Sequence, residues 1–119
     1  MELADRTCVP CRGGVPPLPR PEAEELLRLL GGGWELTDVA AGVTGLRKTY
    51  AFKDFAQALA FVNLLGAIAE EQGHHPDIAL AWGRVTVMVW THKIKGLTES
   101  DFVFAAKCDR AASNKISEE

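Results

Sequence analysis

Three histidines, His74, His75 and His92, fall close together in a chain that has no others. Histidine's ordinary pKa, about 6.5, lets it give and take protons near neutrality. A pair just past a helix end and a third at a strand end would put an acid and a base at one site. The same side chains are potential zinc ligands, and zinc needs three or four donors in a tetrahedral array. Adjacent residues on an extended segment point opposite ways, so His74 and His75 rarely share one ion. Proton transfer therefore stands ahead of metal binding, and an inert surface pair, the commoner outcome for two adjacent histidines, is the bland alternative to both. Neither a metal nor a cofactor is expected.

The flanking sequence says what must hold these groups in place. Five of the six prolines lie between Pro10 and Pro21, with Gly13 and Gly14 among them, which predicts an extended arm over residues 1–20. A domain over 21–112 follows, and the polar residues 113–119 are expected to fray. Pro21 opens a first helix with Glu22, Glu24 and Glu25 at its positive end. Leu26, Leu27, Leu29 and Leu30 form its apolar surface, and Gly31 to Gly33 stop it. Two strands follow, Trp34–Thr37 and Leu46–Phe52, joined by a loop holding Gly42 and Gly45. Asp54 caps a long helix that ends at Gly73. Strands over Asp77–Ala81 and Arg84–His92 form a second hairpin around Trp82–Gly83. In the latter Val85, Val87 and Val89 face one way, and Thr86, Met88, Trp90 and His92 the other. Thr98 begins a last helix with Asp101 three residues on as a short capping box, and Phe102, Val103, Ala105 and Ala106 are its expected buried positions. The fold class is α+β: a four-stranded antiparallel sheet of two hairpins with helices on one face, in the order α-β-β-α-β-β-α.

The long helix is unusual. Between Phe55 and Ala69 its strongly polar side chains are Gln57 and Asn63 alone. One small domain has difficulty burying a helix on all sides, so a subunit interface is predicted, with Phe61 and Leu65 among its residues. A homo-oligomer follows, a tetramer ahead of a dimer.

Composition narrows the function class. A net charge of −3 supplies no basic footprint for nucleic acid, and 47% apolar residues are ordinary for a globular domain. Eighteen consecutive apolar residues occur nowhere, and no signal-like segment opens the sequence, so no membrane role and a cytoplasmic location are expected. Three cysteines make an odd number with no disulfide framework. Cys8 and Cys11 form a CxxC, but Cys108 does not complete a second pair, and a packing or partner-contacting arm is favoured over metal or redox chemistry.

The spaced run Glu70-x3-His74-His75-Pro76-x5-Trp82-x9-His92-x8-Asp101 resembles the signature of the pterin-4a-carbinolamine dehydratases. Trp34 and the stretch Phe52–Lys53–Asp54–Phe55 also match, and the likeness covers roughly Pro21 to Arg110. The resemblance implies dehydration of a 4a-hydroxytetrahydropterin, the product left by an aromatic amino acid hydroxylase. It implies His74 and His92 as the acid–base pair and His75 as a group that orients the pterin. Glu70 would hold the histidines or the ring nitrogens. Trp90 and Thr91, just before His92, are expected to line the pocket. Trp34 is divided between core and pocket wall, Trp82 between stacking on the pterin and packing beneath it, and Asp101 between capping and site support. Gly73 departs from the acidic or polar residue that many members carry there, which is expected to loosen the histidines. Relatives of the fold also act as partners of a transcription factor or as assembly factors, so a non-catalytic binding module is the competing function.

Overall fold

The computed structural model describes residues 2–9 and 16–117, with 114–117 as backbone only. Helix α1 spans Arg20–Leu30, strand β1 Glu35–Ala40, β2 Val43–Ala51, helix α2 Phe55–Gln72, β3 Asp77–Ala81, β4 Arg84–Val89 and helix α3 Glu99–Ser117. The order is the expected α-β-β-α-β-β-α. All pairings are antiparallel, and the four strands lie in the order β1-β2-β4-β3.

Alternation sets the two faces of the sheet. Val85, Val87 and Val89 of β4 are fully buried and sit opposite Tyr50, Lys48 and Leu46 of β2. Against this face pack Ala58, Phe61, Leu65 and Ala69 of α2 and Phe102, Val103, Phe104, Ala105 and Cys108 of α3. The opposite face keeps Arg47, Thr49, Ala51 and Arg84 exposed. Deleting a ring such as Phe61 would cost about 3–5 kcal/mol, because no neighbour can refill so large a hole.

Helix α2 begins and ends as its sequence dictates. The Asp54 carboxylate accepts the Gln57 amide at 2.9 Å, satisfying one orphan donor of the first turn. At the other end Gly73 takes a left-handed conformation (φ 63°), and the amides of Gly73 and His74 both turn back to the Ala69 carbonyl.

Several expectations need correction. Strand β4 stops at Val89, because the Thr91 amide bonds Gly96 O at 2.8 Å and so leaves the ladder; His92 opens a short 3-10 turn, His92–Ile94, rather than ending a strand. The first hairpin turns more tightly, at Ala41–Gly42, and Gly45 lies within β2. Leu29 is 62% exposed, while Ala23 takes the buried position on α1. Phe104, absent from the expected core, is fully buried. Helix α3 runs on to Ser117, since neither proline nor glycine follows Gly96 to stop it. Phe61 and Leu65, expected in a subunit contact, are fully buried within their own chain; the apolar residues that α2 leaves exposed are Phe55, Leu59 and Leu64, at 41–44%.

Residues 2–9 pack on the domain. Leu3, Ala4 and Cys8 are buried, Lys107 Nζ donates to Ala4 O at 2.9 Å, and Arg110 pairs with Asp5 at 2.7 Å. Cys8 donates its thiol to Ser100 O, and burial pushes its pKa up to about 11. Cys108 is raised too, again chiefly by burial. Burial thus favours the protonated thiol at both positions. Cys11 lies outside the described residues. Among them no helix is long and apolar enough to cross a membrane.

Candidate active site

Three segments converge at one end of the sheet: the Gly73–His75 exit from α2, the Trp90–Lys93 stretch after β4, and the first turn of α3. The register explains why. Asp77 pairs with Met88, so the residues just before β3 and just after β4 come to lie side by side. Between them is an open cleft of about 310 Å³, lined by Gly73, His74, His75, Trp90, Thr91, His92 and Lys93. All three histidines reach it.

Their surroundings differ, and so does what each can do. His74 is the sheltered one, its side chain 12% exposed and its Nε2 2.6 Å from Oδ1 of the fully buried Asp101. A carboxylate only accepts, so Nε2 carries the hydrogen, and in the neutral ring Nδ1 holds the lone pair. The other carboxylate oxygen, Oδ2, accepts from Thr91 Oγ1 at 2.8 Å and from the Thr98 amide at 2.9 Å. Asp101 is thus both the helix cap and the partner of His74, and the two roles use different oxygens. His75 is exposed and meets Glu70 Oε2 through Nε2 at 2.5 Å, one helical turn back on α2. His92 is exposed and packs against Trp90, with ring centroids 4.5 Å apart.

Gly73 stands directly before the histidine pair. Its left-handed backbone and the paired bonds to Ala69 O fix the direction in which the chain leaves α2, and therefore where His74 starts. Lys93 also lines the cleft, a residue that reading the sequence did not single out, although it adjoins His92.

The remaining tryptophans lie elsewhere. Trp34 is 6% exposed and donates Nε1–H to Asp109 Oδ2 at 3.0 Å, far along α3 from Asp101. Asp109 also accepts from Lys48 Nζ at 2.8 Å and Tyr50 OH at 2.6 Å, which makes this a tie between sheet and helix. Burial, then the Asp109 bond, hold the Tyr50 phenol far above its usual range. Trp82 is 69% exposed in the β3–β4 turn, at the opposite end of that hairpin from the histidines. Within one chain neither Trp34 nor Trp82 touches the cleft. Among the described residues no group of three or more His, Cys, Asp or Glu side chains is arranged to hold a metal ion.

Comparison with known proteins agrees with this fold. Residues 16–111 match the family model described as pterin 4 alpha carbinolamine dehydratase. The chain is 58% identical over 109 residues to a "Putative pterin-4-alpha-carbinolamine dehydratase" of Rubrobacter xylanophilus, covering 92% of this chain and 97% of that protein. It is 52% identical to a relative of the same description from Cupriavidus pinatubonensis, covering 94% and 93%. Among solved structures it resembles a transcriptional coactivator/pterin dehydratase from Brucella melitensis, with TM-score 0.73, 35% identity, and coverage of 81% of this chain and 98% of that one. It also resembles a pterin dehydratase-like protein described as a RuBisCO assembly factor in the alpha-carboxysome, with TM-score 0.58, 28% identity, and coverage of 70% and 93%.

Proposed function

Because this chain belongs to the pterin 4 alpha carbinolamine dehydratase family, we propose that it removes water from a 4a-hydroxytetrahydropterin by histidine acid–base catalysis. The observation that carries the reading is the asymmetry of the histidines around one cleft. Loss of water from C4a needs a base for the N5 proton and an acid for the departing hydroxyl, on groups held apart by a flat ring. His74, its Nε2–H committed to Asp101, offers Nδ1 as the base. His92, on the wall formed by Trp90 to Lys93, supplies the acid. His75 and Glu70 orient the pterin at the rim, Trp90 backs His92, and Thr91 steadies Asp101. The product is a quinonoid dihydropterin, which places the enzyme in recycling the pterin of an aromatic amino acid hydroxylase.

Turnover is tested by following the disappearance of 4a-hydroxytetrahydropterin made in situ by a hydroxylase, without added metal. The profile of kcat/KM should be a bell with its maximum near neutrality, both limbs belonging to the histidine pair as coupled values. A rate flat from about pH 5 to 9, the span around histidine's usual pKa, would exclude histidine proton transfer from the limiting step.

The protein also forms a homo-oligomer, tetramer ahead of dimer, on this reading. Its support is the exposure of Phe55, Leu59 and Leu64 on α2, large apolar side chains that water disfavours. Leu59→Glu or Leu64→Glu should dissociate the assembly and leave the fold intact by circular dichroism. Phe61→Glu should unfold the chain, because it buries a carboxylate without a partner. Sedimentation of the unaltered protein as a monomer at micromolar concentration would defeat this.

A binding role, of the kind described for the Brucella protein and the RuBisCO assembly factor, would draw on the same exposed apolar side chains. It leaves the Asp101-bound His74 without a task, and the catalytic reading is preferred for that reason.

A further inference from the structure

His92 stands in a loop whose two ends are bonded to each other. The Thr91 amide donates to Gly96 O at 2.8 Å and the Gly96 amide to Thr91 O at 3.4 Å, so residues 92–95 form a closed excursion around the 3-10 turn. Such a loop moves as a unit, and two ties at one neck leave it free to tilt. Something must hold its flanks. On the inner side the Thr91 hydroxyl meets Asp101. On the outer side is the segment before α1: Leu18 donates its amide to Leu97 O at 2.9 Å, and Pro17 lies against Gly96. That contact is close enough that a Cβ on Gly96 would stand 2.6 Å from Pro17 Cβ and 2.8 Å from its Cγ. Gly96 is not among the glycines with positive φ, so it is the approach of Pro17, and not the backbone conformation, that demands glycine here.

The earlier part of the same arm reaches the other half of the site. The Cys8 amide donates to Gln72 Oε1 at 2.9 Å, two residues before His74, and the Val9 amide to Ser100 Oγ at 2.8 Å, next to Asp101. Both described pieces of the arm therefore grip residues adjoining the candidate catalytic groups. Proline suits the task, since its fixed φ lets it hold a position with little entropy left to lose.

We propose that Pro17 and Leu18 are positioning residues for His92: packed on Gly96 and bonded to Leu97, they fix the tilt of the 91–96 loop and so the place of the imidazole in the cleft. The inference rests on the dehydratase reading for its consequence in turnover, though not for its geometry.

The test uses the full chain with Gly96→Ala, Pro17→Gly and the two combined. In Gly96→Ala either the loop or the proline ring must yield, and kcat should fall about 10- to 100-fold with KM changed far less, as a misplacement near 1 Å does. Pro17→Gly removes the atoms that the new methyl group would strike, so the double variant should recover to the level of Pro17→Gly alone. The His92 imidazole resonance should shift in both single variants while the His75 resonance stays. Full kcat in Gly96→Ala, in a protein that His92→Ala impairs, would overturn the proposal. So would a loss that Pro17→Gly does not relieve. Should Gly96→Ala fail to fold, Pro17→Gly alone decides: an unmoved His92 resonance with unchanged kcat overturns the proposal. If the unaltered protein shows no dehydratase turnover, the functional reading fails, and the His92 resonance in Pro17→Gly still decides whether the segment sets the loop.

Discussion

Replacing His74 or His92 by alanine should lower kcat/KM by about 10²–10⁴-fold each, the range for losing a positioned proton-transfer group. That corresponds to roughly 3–5 kcal/mol of transition-state stabilisation. The two variants should differ in stability. His92 is exposed, so its removal leaves no polar group without a partner. His74 covers Oδ1 of the fully buried Asp101, and removing it should also cost about 1–3 kcal/mol of folding free energy, the penalty of a buried acceptor left unmet. His75→Ala should cost less activity than either, because both His75 and Glu70 are largely in water, where a shared bond is weak. Undiminished turnover in His74→Ala and His92→Ala would sink the assignment. Complete loss on chelation with rescue by zinc would revive the metal reading.

Asp101→Asn should abolish most activity while sparing the fold. The geometry leaves the amide a single good orientation. Thr91 Oγ1 and the Thr98 amide both donate toward Oδ2, so the asparagine oxygen must take that place. Its NH2 group then occupies the position of Oδ1 and donates to His74 Nε2. Nε2 becomes an acceptor, the hydrogen moves to Nδ1, and the nitrogen proposed as base is blocked. An exchange of this kind costs about 10⁴-fold in the serine-protease triad, and a loss of at least about 10²-fold is expected here. Asp101→Ala removes the cap as well and should destabilise by about 2–4 kcal/mol, the sum of a lost helix cap and unmet buried donors. Thermal melts should therefore separate the two variants while the activity assay does not. An Asp101→Asn enzyme with normal turnover would show that the tautomer of His74 is irrelevant to the reaction.

Much of the fold was legible because local rules and tertiary packing agree. The alternation Val85, Val87, Val89 needs only a buried face to become β4, and the bounds of α2 follow from a carboxylate at Asp54 and a glycine at Gly73. The spacing of Glu70, His74, His75, His92 and Asp101 carried the family, which the comparison with known proteins establishes. The phase of α2 was not legible. A helix apolar all round has no preferred face, and the choice of Phe61 and Leu65 as inward residues over Leu59 and Leu64 is made by the sheet it lands on. Trp34 misled for a related reason. An indole is at home in either a core or a pocket, and its hydrogen-bond partner, Asp109, lies on the last helix.

By itself, then, the sequence determined the elements, their order and the set of groups able to move protons, since these depend on periodicity, capping and side-chain chemistry within short stretches. Only the tertiary structure decided which histidine is which. His74 became the sheltered one because α3 brings a buried carboxylate to it from twenty-seven residues away. His92 reaches the same cleft from a loop that closes on itself and rests against an arm from the other end of the chain. Such long-range pairings fix tautomer, burial and direction, and nothing in the residues on either side of a histidine encodes them.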